Sequence, residues 1–225
     1  MKKPIVKFVM PVFVTAMLVA AFSCGKNDTT TNNNTNNNAH LATIREQVNN
    51  LPKEPLSTAE INGLMFMREE EKLARDVYTF LYEKWATGIF SNISASEQTH
   101  TDAVLLLLNK YQLPDPVNNN PRGVFNNPVL QQLYQQLTTQ GNSVAQAYVT
   151  GAGIEDLDLY DLEQAMLVAD NQDILLVYSM LAKGSRNHLR SFYRNILNTG
   201  GTYTPQYMSR EQFDAIVNSP METGF

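Results

Sequence analysis

Apolar residues recur at alternating three- and four-residue steps in four long stretches of this chain, the spacing that gathers them on one face of an α-helix. The first stripe reads Leu64, Met67, Glu71, Ala74, Tyr78, Leu81 and Trp85, and the second Ile93, Glu97, His100, Val104, Leu107 and Tyr111. The third reads Tyr148, Ala152, Glu155, Leu159, Leu162, Met166 and Ala169, and the fourth Ile174, Tyr178, Leu181, Ser185, His188, Phe192 and Ile196. The pattern predicts helices from the capping box Ser57–Glu60 to about Trp85, from near Gly88 to before Pro114, from near Ser143 to about Ala169, and from Asp173 to Gly200-Gly201. Shorter helices are expected over about Pro128 to Thr139, and from a second capping box, Ser209–Gln212, to before Pro220. No stretch makes a convincing strand.

The connections constrain the fold more than the helices do. A few residues join the first helix to the second and the third to the fourth, so each pair should be an antiparallel hairpin. About 30 residues, with Pro114, Pro116 and Pro121 among them, separate the second helix from the third, a link long enough to cross a bundle. The expected fold is all-α: two helical hairpins joined by one long crossover. On topology alone, an up-down bundle with a decorated loop stays open.

Every stripe is interrupted near its middle by polar residues able to bind a metal. A carboxylate buried without a partner costs several kcal/mol. Taken singly, each residue has an ordinary explanation: Glu71 paired with Arg75 one turn away, or His188 hydrogen-bonded in the core. Their common depth argues otherwise. Glu71 and the Glu97/His100 pair are equidistant from the turn near 85, and Glu155 and the Ser185/His188 pair from Asp170-Asn171-Gln172. Each lies about 14 residues, or roughly 21 Å of helix, from its turn. Glu71, Glu97, His100, Glu155 and His188 can therefore converge on one level. Glu97-x-x-His100 puts an oxygen and a nitrogen ligand on one helix face. Glu70 is the fallback for Glu71, since the neighbouring stripe Phe66, Glu70, Leu73, Val77, Phe80 is also apolar; Glu71 is preferred because its stripe ends in Trp85 rather than Lys84.

With these residues in view, the chain resembles the ferritin-like superfamily, in which one helix of each hairpin supplies a Glu, the other supplies E-x-x-H, and the set holds two irons or manganeses. Glu69 to Tyr78, Ser96-Glu97-Gln98-Thr99-His100, Ile154 to Asp158 and Gly184-Ser185-Arg186-Asn187-His188-Leu189-Arg190 resemble in particular the family called domain of unknown function 2202. The resemblance spans about Leu56 to Thr199 and implies a ferritin-like four-helix bundle with a carboxylate/histidine metal site. It departs from the superfamily pattern at Ser185, where the second E-x-x-H has its Glu; Asp158, one turn beyond Glu155, is the substitute at hand. One tightly held iron or manganese and a second that is weak or absent are therefore expected. The implied activity is that of a di-metal carboxylate oxidoreductase such as a ferroxidase or peroxidase. A non-enzymatic metal-binding or interaction protein with a structural ion is the alternative.

The start of the chain bears on location. Lys2 and Lys3 precede an apolar run from Phe8 to Phe22, and Ala21-Phe22-Ser23-Cys24-Gly25 resembles a bacterial lipoprotein signal. The expected organisation is a signal peptide over 1–23, a lipidated Cys24 with a Thr/Asn-rich flexible tether over 24–42, and a helical domain over 43–225. An exported protein, anchored through lipid to a bacterial envelope membrane on its periplasmic or surface face, follows. An ordinary cleaved signal with an incidental cysteine is the other reading. Cys24 is the lone cysteine of the 225 residues, which excludes an internal disulfide and zinc-finger or iron–sulfur frameworks. Net charge is −5, and removing the leader with Lys2, Lys3 and Lys7 takes it to −8, which leaves no electrostatic case for nucleic acid. No glycine-rich phosphate loop and no G-x-S-x-G elbow occurs.

Overall fold

The computed structural model describes residues 29–223; the signal segment and Cys24 lie outside them. The described chain is helical throughout, with no strand: α1 (Thr29–Asn50), α2 (Thr58–Trp85), α3 (Gly88–Tyr111), α4 (Pro128–Gln140), α5 (Val144–Val168), α6 (Gln172–Asn198) and α7 (Arg210–Val217). None of these helices is long and apolar enough to cross a membrane.

Local chemistry sets the helix ends. Ser57 Oγ accepts from the Glu60 amide at 3.2 Å while the Glu60 carboxylate takes the Ser57 amide at 2.8 Å, so α2 starts on a reciprocal cap. Ser209 and Gln212 start α7 in the same way. Asn127 caps α4 ahead of Pro128, whose missing N–H costs nothing in the first turn. Gln112 turns left-handed (φ 59°) and ends α3 before Pro114.

Four long helices pack side by side, and their contacts fix their directions. Between α2 and α3, Thr79 meets Ser94, Arg75 meets Gln98 and Arg68 meets the Thr101 carbonyl, so the pair is antiparallel. Asp158 with Ser185 and Glu155 with His188 show the same for α5 and α6. Across the hairpins, α2 lies on α5 through Trp85 to the Gly141 carbonyl and Tyr78 to Glu155, and α3 lies on α6 through Ser96 to His188 and Tyr111 to Asp173. Both cross-hairpin pairs are also antiparallel, so α3 and α5 run the same way, and the link between them traverses the full length of the helices. Leu64, Leu81, Phe90, Leu107, Leu162 and Phe192 are fully enclosed in the core. Gly151 lets α6 approach, since a Cβ there would fall 2.5 Å from the Phe192 ring.

The polar outer face of α2 holds the crossover. Arg68 grips Asp115 with two nitrogens at 3.0 and 2.9 Å, and the Glu69 carboxylate accepts the amides of Asn126 (2.5 Å) and Asn127 (3.0 Å). Lys72 is fully buried between Asp76 (2.5 Å) and the Pro121 carbonyl (3.0 Å).

The structure differs from the sequence expectation at its beginning. Residues 24–42 were expected to be a flexible tether, yet a helix runs from Thr29 to Asn50. Leu41, Ile44 and Val48, at helical spacing, seat it on the core against α3 and α6. Lys110 closes its end by donating to the carbonyls of Val48 (2.7 Å) and Leu51 (3.0 Å).

Candidate metal centre

The periodicity that aims Glu71, Glu97, Glu155 and His188 inward also places them at one depth. Glu71 Oε2 lies 3.2 Å from His100 Nδ1 across the first hairpin, and Glu155 Oε2 lies 3.4 Å from His188 Nδ1 across the second. Glu97 joins the halves: its Oε2 is 2.7 Å from His100 Nδ1 and its Oε1 is 2.8 Å from His188 Nδ1. Two groups result, Glu71/Glu97/His100 and Glu97/Glu155/His188, each with three ligand atoms within 4.8 Å of one another. Glu97 belongs to both. The imidazole rings stack at 5.6 Å between centroids.

Several of these atoms are enclosed and lack hydrogen-bond partners: Glu71 Oε1, Glu97 Oε1 and His188 Nδ1. Glu97 Oε1 and His188 Nδ1 are close, but not aligned as donor and acceptor. Two ligands bound at about 2.1 Å, at right angles on one ion, would sit about 3 Å apart, so the donor set fits a cation. Among the described residues no lysine or arginine pairs with any of the five. Arg75, the natural neutraliser of Glu71, instead binds Asp76 (2.8 Å) and Gln98 (2.7 Å).

Without an ion, protons compensate the charge. Burial pushes Glu71 up to about 7 despite the opposing pull of His100. Burial would lower His188, but Glu97 and Glu155 outweigh it and push it up to about 10. His100 is raised well above its ordinary value by Glu97 and Glu71, again against burial. Glu97, despite a burial that would raise it, is held well below the usual carboxylate range by His188 and His100.

Outer contacts orient the set. Ser96 Oγ lies 3.0 Å from His188 Nε2, which leaves Nδ1 free to face the carboxylates. The Tyr78 hydroxyl donates to Glu155. Gly184 seats His100: a Cβ there would lie 2.4 Å from the ring's Nε2. Of the further candidates, Ser185 contacts Asp158 and the Leu181 carbonyl, while Glu70 and Asp158 stand beside the two groups without joining them.

A cavity of 440 Å³ opens on the histidine side, between α1, α3 and α6, bordered by His40, Ser96, His100, Lys183, Gly184 and His188. All three histidines of the chain thus meet at one place. His40 stands in a Thr/Asn-rich segment whose composition suggests a tether; the Leu41, Ile44, Val48 spacing is the signal that places it on a packed helix.

Residues 60–220 match the family described as "Uncharacterized protein domain (DUF2202)". An uncharacterized protein of Methanocaldococcus jannaschii is 53% identical over 180 residues, which are 80% of this chain and 97% of the relative. The crystal structure of hypothetical protein MJ0754 from Methanococcus jannaschii is similar at a TM-score of 0.75 and 54% identity, over 76% of this chain and 99% of that one.

Proposed function

This chain belongs to the DUF2202 family of uncharacterized domains, and from that premise we propose that it is a ferritin-like four-helix bundle carrying a carboxylate/histidine metal centre with one tightly held ion and a second position that is weak or empty. The parallel course of α3 and α5, which requires the long crossover, supports the ferritin-like connectivity. The observation that carries the metal reading is Glu97, one oxygen toward each histidine, with no lysine or arginine paired to it among the described residues. Glu71 and His100 would complete one position, and Glu155 and His188 the other. Oxygen and imidazole donors suit iron or manganese, which would supply one-electron redox chemistry there.

The protein's own groups prepare that chemistry. Ser96 orients the His188 ring, Tyr78 steadies Glu155, and Gly184 leaves room for the His100 ring. The cavity beside the histidines admits a small molecule to their outer edges. We read the protein as an oxidoreductase of the ferroxidase or peroxidase kind, exported and held to a bacterial envelope membrane through lipid on Cys24. Ser185 favours the second reading, a structural ion in a non-enzymatic lipoprotein, because it supplies no second bridging carboxylate.

Elemental analysis of protein purified without chelator, followed by aerobic addition of ferrous iron to the apo-protein, tests both. Bound metal with catalytic growth of ferric absorbance supports the oxidoreductase. Tight metal without turnover supports the structural ion. Failure to bind iron, manganese or zinc overturns the centre altogether.

A further inference from the structure

Two walls of the cavity beside the histidines lie outside the four long helices. Helix α1 brings His40 and Ile44, and the C-terminal tail brings Glu222 and Thr223. The tail is pinned there. Arg186 holds the Glu222 carboxylate with two nitrogens, at 2.7 and 2.6 Å, and Arg190 adds a third at 2.9 Å. Asn187 accepts the Glu222 amide at 2.9 Å and donates to its carbonyl at 3.0 Å. These two added segments turn the outer face of α3 and α6 into a walled pocket.

Size and lining decide what fits. A water molecule takes about 30 Å³ of liquid volume, and organic ligands occupy pockets of about 300–1,000 Å³. At 440 Å³ the cavity is far larger than oxygen or peroxide needs and suits a small organic molecule. Ile44, Ala103, Met180 and Leu181 give it an apolar surface. Glu222 is the one carboxylate among the described lining residues. Two arginines already pair with it and neither three-ligand group includes it, so the cavity is poor ground for a metal cation. The inner end is polar. An imidazole that gives Nδ1 to an ion carries its hydrogen on Nε2. His188 Nε2 lies 3.0 Å from Ser96 Oγ, whereas His100 Nε2 is turned to Gly184, which has no side chain to cover it. His100 therefore offers an N–H donor at the cavity wall.

We propose that this cavity binds the centre's substrate, a small organic molecule whose apolar body lies against Ile44, Ala103, Met180 and Leu181 and whose oxygen accepts from His100 Nε2. This rests on the metal reading above and narrows it to an organic substrate.

Histidine-selective NMR of the full-length protein is the test, because all three histidines of the chain border this cavity. Zinc(II), which has no redox chemistry, should move the His100 and His188 signals. Acetophenone added to the zinc-loaded protein should then move the His100 signal saturably. Ethylbenzene, nearly the same frame without the oxygen, should bind about fivefold more weakly, the scale of one net hydrogen bond. Met180→Trp, at a half-buried wall position, should weaken acetophenone by about tenfold or more and leave the zinc response in place. Leu167→Trp, exposed near the end of α5, should change neither. No acetophenone shift at His100, equal affinity for ethylbenzene, or an acetophenone response unchanged in Met180→Trp would overturn the pocket while the zinc response keeps the centre. No zinc response at His100 and His188 would overturn the metal reading and the proposal with it.

Discussion

Glu97 and His188 come from different hairpins, yet one carboxylate oxygen of the first lies 2.8 Å from Nδ1 of the second. The other oxygen of the same carboxylate lies 2.7 Å from His100 Nδ1. A single side chain on α3 thus spans the two halves of the molecule, and the consequences of loading or removing an ion follow from it.

Metal binding should stabilise the fold, because an ion that binds the native state alone adds RT ln(1 + [L]/Kd), about 2.7 kcal/mol at a hundredfold excess. Melting temperature in chelator and in saturating iron, manganese or zinc is the measurement. Glu97→Gln or His100→Ala should abolish the rise, and Glu83→Gln, at an exposed pair with Arg122, should leave it.

The metal-free protein should lose stability as pH rises. Glu71 moves from 4.5 to about 7, so its protonated form favours the fold, and that contribution is lost as pH climbs through 7. His188 moves from 6.5 to about 10; its stabilisation is complete below 6.5 and gone above 10. Metal affinity should run the other way over the same span, since ligation displaces these protons. Parallel melting and calorimetric titrations from pH 6 to 9 check both slopes. A flat apo profile with pH-independent affinity would contradict the protonation pattern.

Ser185 predicts unequal ions. In the proposed ferritin-like centre it takes the place of the second Glu, and its hydroxyl contacts Asp158. Titration with metal analysis should find one tight ion and one weak or missing. Ser185→Glu should move occupancy toward two, at some cost in packing beside Asp158. Equal affinities in the unmodified protein would mean that Asp158 already supplies the ligand.

Gly184→Ala should displace the His100 ring, because the new methyl would fall 2.4 Å from Nε2 and the ring can relieve the clash only by moving off its present position beside the carboxylates. Metal affinity should drop by about tenfold or more, equivalent to at least about 1.4 kcal/mol. Gly153→Ala is the control: its nearest neighbour would be 3.8 Å away.

Anchoring is checked by intact mass. A chain beginning at Cys24 with added acyl mass, recovered from the membrane fraction, is the expected result. A soluble mature chain without acyl mass would remove the anchor from the proposal.

Much of this was legible in the residues. The helices from Ser57 onward follow from period and caps, and their ends agree with the structure to within a few residues. The depth of Glu71, Glu97, His100, Glu155 and His188 followed from their distance to each turn, because helical rise is constant. The first helix was hidden by composition: Thr and Asn disguise a segment whose last turns carry Leu41, Ile44 and Val48.

By itself, the sequence determined which residues face inward and how far along each helix they lie, since both depend only on the fixed geometry of one helix. Only the tertiary structure decided among neighbours in the run from Arg68 to Lys72. Adjacent positions are about 100° apart on a helix, so each meets a different partner. Arg68, Glu69 and Lys72 find the crossover, Glu71 finds His100, and Glu70 finds only other acids. The same holds for Glu97. Its spacing from His100 is local, but its second contact, with His188, exists only because α3 lies against α6, and no repeat along one chain segment encodes which helix becomes its neighbour.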